Sequence, residues 1–467
     1  MTPVATADEA ASALRARMTG SVIVPGDADY DAARHVWNGM IDLRPAVIAR
    51  PHRADGVATA VEVARSRDLQ IAVRGGGHNV AGLGTIDGGL VIDLSMMRDV
   101  EVDPIRRTVR AGGGATWADV DRATQSFGLA TPGGVVSETG IAGLTLGGGM
   151  GWLRRRHGLS ADNLISAEVV LADGSIVWTN ESERPELLWG LRGGGGNFGV
   201  VTTFEFRLHP VGPEVAFAYV LYPLDAARAV LRGHEQIINA DTGDISSLAV
   251  LGHIPPIDDF APELHGRAFV GALAMYAGEV EAGMDALQPL RELATPIVDM
   301  SGPMPFVEVQ TIYDPDYPAG HRYYWKSARM DRLSDTTIGA LVEAIERAPS
   351  AHSTIDLWLN GGAMAEVPAD ATAFGSREVP YLLSPEANWE RPEDDETNIA
   401  WTRTVLDAAG TDRAAGSYLN FPGLHEEGDA LVRSSFGSTY DRLATLKRAY
   451  DPENVFRRNQ NVLPAGE

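Results

Sequence analysis

The sequence has 467 residues, a formal net charge of −24 and no cysteine. An acidic surface is unsuited to nucleic acid or anionic membranes, and the lack of thiols excludes disulfides, thiolate metal sites and cysteine nucleophiles. At about 150 residues per domain, the length predicts two or three lobes. Neither an apolar signal segment nor an apolar run of about 18 residues is visible, so we expect a cytoplasmic protein without a membrane span. We also expect no metal site.

The first predicted elements are a helix and a strand in "RADGVATAVEVARSRDLQIAV". Val57, Ala60, Val61 and Ala64 recur at helical spacing, and Asp55 is the predicted N-cap. The short strand "QIAV" ends at a run of glycines. "GGLVIDLS" predicts a second buried strand, and "TVRAGGGATWADVDRATQSFG" predicts a strand, a turn and a helix.

A hairpin and a further strand close the first part of the chain. "ISAEVVLADGSIVWTN" is typical of a hairpin whose two-residue turn is the Asp-Gly pair at 173–174. "GVVTTFEFRLHP" predicts a strand with Phe204 and Phe206 on one face, ended by Pro210. Beyond this proline the glycine clusters stop and strands alternate with helices. The change predicts a second, α+β domain over residues 209–420.

Three glycine clusters stand out, at residues 74–78, 147–151 and 193–199. The third contains a formal G-x-G-x-x-G, but it leads into a strand instead of a helix, so it is not a Rossmann fingerprint. Glycine lets backbone amides approach a pyrophosphate and form an anion-binding nest. Tight turns and sheet bulges are the alternative explanation. Because one of the three clusters ends at His78, we favour a dinucleotide held across several loops.

The motifs "VRGGGH", "TPGGVVSETGIAGLTLGGGMGWLRRRHGLSADNL", "LRGGGGNFGV", "YLN" and "DPENVFRRNQN" occur in this order along the chain. Together they resemble the berberine-bridge-enzyme-like FAD-linked oxidases with the PCMH (vanillyl-alcohol-oxidase) fold, most of all bacterial members from secondary metabolism and catabolism. The resemblance implies an α+β protein with a two-lobed PCMH-type FAD-binding domain and a substrate domain with an antiparallel sheet. Residues 1–208 would form the FAD-binding domain, residues 209–420 the substrate domain, and residues 421–467 would complete the FAD-binding domain.

The resemblance also implies FAD bonded covalently through the ring of His78. A histidine beside a turn can instead be merely hydrogen-bonded. Many relatives add a second link through a cysteine; Val136 stands at that position here, so we expect a single link. The other residues that the resemblance places around FAD are Arg74, Gly75, Gly76, Gly77, Asn79, Gly82, Pro132, Val135, Thr139, Gly140, Gly143, Leu144, Gly147, Gly148, Gly149, Gly151, Asn163, Gly199, Val200, Asn420, Asn459 and Asn461.

Tyr418 in "GSYLNFPG" is the predicted catalytic base. It lies two residues before Asn420 on a segment that we expect to be extended, which would place both side chains on one face. The family's Tyr-x-Asn motif implies that the tyrosine takes the substrate proton. A free tyrosine has a pKa of about 10, so a working base needs a nearby cation or hydrogen bonds to the phenolate. Arg154 and Lys326 are candidates for the cation. The alternative is a tyrosine that only packs.

Candidate substrate-pocket residues come from the second domain and one glycine loop. Alternation in "STIDLWLNGG" places Asp356 and Trp358 on one face, and "RYYWKSARM", with Tyr323, Tyr324 and Trp325, is a second candidate wall. Trp152 follows the second glycine cluster. Aromatic walls suit a flat aromatic or polyketide substrate, but they suit core packing equally well.

The leading functional hypothesis is an FAD oxidase. It would pass hydride from a small organic substrate, such as an alcohol, phenol, amine or polyketide, to the flavin, which O2 would reoxidise with release of H2O2. Thr139 lies where the family gates oxygen, and Val135, Thr139 and Leu144 also resemble the oxygen pocket of a polyketide oxygenase that uses a flavin N5-oxide. A flavin-N5-oxide-type oxygenase and a flavin-binding protein without turnover therefore stay open, as does the oligomeric state.

Overall fold

A four-stranded sheet forms the first layer of the protein. The computed structural model describes residues 3–258, 260–426 and 428–466. The strands run in the order β1-β2-β4-β3, with β2, β4 and β3 parallel to one another and β1 antiparallel to β2. Their residues are mostly buried, as expected for a parallel sheet covered on both faces. The elements of this part are α1 (Pro3–Arg17), β1 (Gly20–Ile23), α2 (Tyr30–Arg34), β2 (Val47–Pro51), α3 (Ala54–Arg65), β3 (Ile71–Arg74) and β4 (Leu90–Asp93).

An antiparallel five-stranded sheet of order β5-β6-β10-β8-β9 follows. Phe204 and Phe206 are fully buried on one face, as predicted. Pro210 does not simply end the strand, because His209 and Pro210 form a two-residue strand that pairs with residues 129–130. The elements are β5 (Val100–Asp103), β6 (Thr108–Gly112), α4 (Trp117–Gln125), β7 (Leu129–Ala130), α5 (Ile141–Leu146), α6 (Arg154–His157), β8 (Leu164–Val170), β9 (Ile176–Asn180), α7 (Pro185–Leu191), β10 (Val200–Arg207) and β11 (His209–Pro210).

The second part of the chain builds a nine-stranded antiparallel sheet. Its path is β15-β12-β14-β13-β19-β20-β17, with β16 paired to β12 and β18 paired to β20. Helices α8, α9, α11 and α13 cover one face, and the other face turns towards the glycine loops. The elements are β12 (Glu214–Pro223), α8 (Ala227–Ala240), β13 (Ile245–His253), β14 (Ala268–Tyr276), α9 (Val280–Arg291), β15 (Val298–Asp299), β16 (Gly302–Pro305), α10 (Phe306–Val309), β17 (Arg322–Trp325), β18 (Ala328–Met330), α11 (Asp335–Glu346), β19 (Thr354–Leu359), α12 (Ala363–Glu366), β20 (Tyr381–Trp389) and α13 (Asp395–Ala408).

The C-terminal helices return to the five-stranded sheet. Helices α14 (Gly428–Phe436) and α15 (Tyr440–Tyr450) bury Phe436 and Leu443 in the core that also contains Phe204 and Phe206. This packing supports the proposed assignment of residues 421–467 to the first domain. Within the described residues, no helix combines the length and apolar character that crossing a membrane requires.

The mixed α+β architecture and the antiparallel sheet of the second part confirm the predicted fold class. The predicted hairpin turn at 173–174 is present between β8 and β9. One local prediction is wrong: Arg53 occupies the N-cap of α3, and Asp55 lies inside the first turn. Asp55 accepts a hydrogen bond from the backbone N–H of Gly56, which satisfies a first-turn amide from within the helix.

Candidate functional site

A cavity lies between the glycine loops and the open face of the nine-stranded sheet. Trp325, Asp356, Trp358 and Glu386 line it from the sheet, and Tyr418 lines it from the loop before α14. The glycines in its wall come from all three clusters and from residues 84–143, between the first cluster and the second. They are Gly75, Gly76, Gly77, Gly84, Gly134, Gly140, Gly143, Gly147, Gly193, Gly195, Gly196 and Gly199.

Arg74 anchors the "RGGGH" loop to the interior of the protein. Its guanidinium donates to the Asp93 carboxylate at 2.8 Å and to the Ala33 carbonyl at 2.6 Å, so its charge is neutralised inside the fold. Gly76 approaches the neighbouring loop so closely that a Cβ there would lie 2.5 Å from the backbone nitrogen of Gly140. The glycines therefore let two backbone segments meet at the cavity wall, as a dinucleotide site requires.

His78 faces this cavity with a neutral ring. Burial lowers its pKa to about 3, and its Nε2 is buried without a hydrogen-bond partner among the described residues. The Trp37 indole stacks on the imidazole at 4.2 Å, and Tyr323 stacks on Trp37 at 3.7 Å. A neutral imidazole with an unsatisfied nitrogen, fixed by stacking, can act as a nucleophile or as a hydrogen-bonding group.

The hydroxyl oxygen of Tyr418 accepts three hydrogen bonds. The backbone N–H groups of Gly149 and Met150 donate at 3.1 Å and 3.2 Å, and Nδ2 of Asn420 donates at 2.8 Å. Burial raises the pKa of Tyr418, and the three donors counteract that rise. Donors aimed at one oxygen favour its ionised form, since a phenolate has more acceptor capacity than a phenol.

Neither cation proposed from the sequence is a hydrogen-bond or ion-pair partner of Tyr418. Arg154 donates to backbone carbonyls of Gly151 and Leu359 and lies over the Trp358 ring. Lys326 pairs with Glu426 at 3.3 Å. The sequence analysis did not predict that backbone N–H groups of the turn after Gly147 would donate hydrogen bonds to the tyrosine. Asn420 lies in a turn and not on an extended segment, although its side chain does meet that of Tyr418.

The cavity brings together most of the residues expected around FAD. Those in its wall are Arg74, Gly75, Gly76, Gly77, His78, Asn79, Val135, Thr139, Gly140, Gly143, Leu144, Gly147, Gly199, Val200, Tyr418, Asn420 and Asn459, joined by Val136. Those outside its wall are Gly82, Pro132, Gly148, Gly149, Gly151, Asn163 and Asn461.

Some of the outlying residues have visible structural roles. A Cβ at Gly82 would lie 2.7 Å from the Ile41 side chain, and one at Gly151 would lie 2.0 Å from the Gly133 carbonyl oxygen. The amide of Asn163 donates to the carbonyls of His157 and Leu159 and so closes a local turn. These positions shape the loops that carry the cavity wall.

Three of the substrate-pocket candidates line the cavity: Asp356 and Trp358, as the alternation along β19 predicts, and Trp325. Tyr324 does not: it lies on the opposite face of the nine-stranded sheet, in the core under the helices, because neighbouring strand residues point to opposite faces. Trp152 lies behind the wall, edge-on to Phe217 at 5.3 Å.

Several wall residues escaped the sequence analysis. They are Tyr313, Tyr317, Glu386, Phe421, Arg458 and Gln460. Glu386 had a detectable signal, since it alternates with Ser384 and Asn388 as the polar face of β20. Tyr313 and Tyr317 had none, because the irregular segment after α10 shows no periodicity.

Two carboxyl groups give the sheet side of the cavity an acidic character. Burial raises the pKa of Glu386 to about 7, and hydrogen bonds from Tyr317 and Ser384 hold it from rising further. Burial, together with the negative charge of Glu386, raises the pKa of Asp356 well above its usual range. The pair therefore retains protons near neutral pH.

Comparison with known proteins identifies the family to which the chain belongs. Residues 45–180 match the family described as FAD binding domain, and residues 417–463 match the family described as Berberine and berberine like. The FAD-linked oxidoreductase pgmH of Aspergillus terreus is 32% identical, over 97% of this chain and 95% of that protein. The chain therefore belongs to the berberine-bridge-enzyme-like family of FAD-linked oxidoreductases, whose members are enzymes.

Two nicotine oxidases extend the comparison. The (R)-6-hydroxynicotine oxidase of Paenarthrobacter nicotinovorans is 29% identical, over 96% of this chain and 97% of that protein. The crystal structure of 6-hydroxy-D-nicotine oxidase from Arthrobacter nicotinovorans superposes with a TM-score of 0.84 at 27% identity, covering 95% of this chain and 98% of that one. The similarity spans both parts of the chain.

FAD fits the residues present. The glycine loops approach neighbouring backbone so closely that a Cβ would collide with it. Three polar atoms are buried without partners among the described residues: Nε2 of His78, Oδ1 of Asn459 and Oε1 of Gln460. Amide groups both donate and accept, which suits the polar edge of a flavin ring.

Replacing Gly76 with alanine is expected to abolish most FAD loading. The new Cβ would lie 2.5 Å from the Gly140 nitrogen and force apart the two loops, at a cost of about 1–3 kcal/mol in stability. Flavin absorbance per chain and thermal unfolding measure both effects. Gly339→Ala is the matched control: that glycine lies inside α11 with open space around it, so alanine should raise stability by up to about 1 kcal/mol. Normal loading in Gly76→Ala would contradict the close-approach argument.

Proposed function

We propose that this FAD-linked oxidoreductase is an oxidase that binds its flavin through a single covalent bond to His78 and uses Tyr418 as the base. FAD, when bound, supplies the two-electron acceptor. The observation that carries the proposal is the hydroxyl of Tyr418, which accepts three hydrogen bonds in the wall of the same cavity that His78 faces.

Tyr418 is suited to taking a proton from a substrate O–H or N–H. Its hydroxyl is held by two backbone amides that cannot titrate and by Asn420, whose amide also donates to the carbonyl of Leu144 at 3.2 Å. The phenolate is thereby stabilised without a neighbouring cation. General-base catalysis by a positioned side chain contributes about 10²- to 10⁴-fold.

The oxidant is proposed to be O2. Val135, Thr139 and Leu144 all line the cavity, with a small polar side chain at the middle position. Chemical reduction of the holoenzyme, followed by admission of O2, tests this step without any knowledge of the substrate. We expect fast reoxidation with one H2O2 formed per flavin. Reoxidation no faster than that of free FAD would contradict an oxidase.

The same three residues also favour the second candidate, an oxygenase that transfers an oxygen atom to its product. The two functions differ in where the oxygen ends up. Isotopically labelled O2 should leave the product unlabelled if the protein is an oxidase, and label appearing in the product would favour the oxygenase.

A further inference from the structure

Asp356 and Glu386 form a buried carboxyl pair on neighbouring strands. Asp356 lies opposite Ser384 across the β19–β20 pairing, so Glu386 is two residues further along the same face. The two side chains are 3% and 2% exposed, and both line the cavity. The pair is therefore covered by protein but opens towards whatever occupies the cavity.

The protein leaves this pair short of partners. Glu386 accepts hydrogen bonds from Tyr317 at 2.8 Å and from Ser384 at 3.0 Å. Oδ1 of Asp356 has no hydrogen-bond partner among the described residues, although the side chain of Thr354 approaches the carboxyl and lowers its pKa. No cationic side chain of the described residues acts to lower the pKa of either carboxyl. Asp316 adds further negative charge from the segment after α10.

One other buried oxygen points to the same missing ligand. The hydroxyl of Tyr313 also lacks a partner among the described residues, and Tyr313 lines the cavity close enough to Asp356 for the carboxyl to act on it electrostatically. Tyr313 is 8% exposed, and its oxygen can accept a hydrogen bond from a donating ligand. Buried polar groups without partners destabilise a fold, so their persistence at one place indicates a site that a polar ligand completes.

The surroundings distinguish between ligand charges. The aromatic rings of Tyr313, Tyr317 and Trp325 line the cavity together with the carboxyl pair. The Trp358 ring also lines it, but Arg154 lies over that ring. Ring faces attract cations, and a buried carboxylate is strongly favoured by an opposite charge within hydrogen-bonding distance. A neutral hydroxyl would satisfy hydrogen bonds but would not stabilise the ionised form of the pair.

Building on the proposed oxidase function, we propose that the Asp356–Glu386 pair binds the protonated nitrogen of a substrate amine, enclosed by the aromatic rings around it. The substrate class is thus an aliphatic or alicyclic amine with an apolar body. The cation replaces the protons that the pair otherwise holds, and it supplies the donor that Oδ1 of Asp356 lacks.

Matched probes test the charge requirement on the FAD-loaded enzyme. We expect 3-phenylpropylamine, protonated at about pH 8, to bind at least about tenfold more tightly than 3-phenyl-1-propanol by anaerobic calorimetry. Asp356→Asn and Glu386→Gln should each reduce this preference to less than about threefold. The alcohol should bind the variants as it binds the unmodified enzyme, which shows that the cavity is intact.

The pH dependence has a defined sign. Burial raises the pKa of Glu386 to about 7 and that of Asp356 well above its usual range, so the pair is protonated at low pH, and amine affinity should rise as the pH increases through about 7 and Glu386 ionises. Asp316, Tyr313 and Tyr317 face the same pair; the tyrosine pKa values are raised well above their usual range by burial, so these two groups stay neutral throughout.

Glu343→Gln, an exposed change on α11, is the matched control and should leave the preference unchanged. Equal affinities for amine and alcohol, or an amine preference that survives in both pair variants, would overturn the cation site. Failure of the oxidase proposal appears separately, because reoxidation of the reduced flavin by O2 needs no substrate.

Discussion

Replacing Tyr418 with phenylalanine is expected to slow flavin reduction by about 10²- to 10⁴-fold while the flavin content stays normal. The phenylalanine keeps the ring but removes the oxygen that accepts the amides of Gly149, Met150 and Asn420. Stopped-flow absorbance under anaerobic conditions measures the reductive step directly. Reoxidation by O2 should be unaffected, since that step needs no substrate base.

The pH profile separates a base from a packing residue. Burial raises the pKa of Tyr418, so the reduction rate of the unmodified enzyme should rise with pH as the phenolate forms, and the variant should lose this ascending limb. Tyr222→Phe is a suitable control, because the Tyr222 hydroxyl bonds the Leu290 carbonyl in the core under the sheet and should affect stability alone. An unchanged rate and profile in Tyr418→Phe would show that the tyrosine only packs.

Replacing His78 with alanine should convert a permanently attached flavin into a releasable one. The imidazole is neutral at pH 7 because burial lowers its pKa to about 3, and its Nε2 has no partner among the described residues. A neutral ring keeps the lone pair that bond formation requires. Acid-precipitated protein should retain its yellow colour and flavin fluorescence, whereas precipitated His78→Ala should lose both.

His52→Ala, a change at an exposed histidine, should retain the flavin as the unmodified protein does. Complete release of flavin from the acid-treated unmodified protein would contradict the covalent link. Mass spectrometry of the tryptic peptide that contains residue 78 locates the attachment. With no cysteine in the chain, a second thioether link is impossible.

The repeated, chemically distinctive parts of the site were predictable from the sequence. Runs of glycine next to His78, and a tyrosine two residues before an amide, are local patterns that a reader of the chain can find. The alternation along β19 was equally informative: it placed Asp356 and Trp358 on the cavity face. Period-two alternation fixes which residues share a face without any knowledge of the partners.

The rest depended on contacts between distant segments. Nothing in the sequence indicated that the amides of Gly149 and Met150 would meet Tyr418, which lies 269 residues after Gly149, so the sequence analysis named Arg154 and Lys326 instead. Tyr324 was assigned to the wrong face because its strand gives no sign of which side is covered by helices. Alternation groups residues, but only tertiary packing says which group faces the ligand.

The aromatic stack of Trp37 and Tyr323 against His78 implies that both parts of the chain must fold before the surroundings of His78 are complete. Trp37 precedes the second strand of the four-stranded sheet, whereas Tyr323, which stacks on it, belongs to the nine-stranded sheet. Asn38 also joins the two parts, because its side-chain amide donates to the backbone carbonyls of both Val80 and Tyr323. The pocket that strips water from the imidazole therefore exists only after both parts of the chain have docked. In a half-folded molecule the ring would be solvated, free to rotate and closer to its ordinary pKa of about 6.5. If the proposed bond to His78 forms, permanent colour would mark only those molecules in which a sheet built from the second half of the sequence had folded correctly, and cofactor attachment would record completed folding.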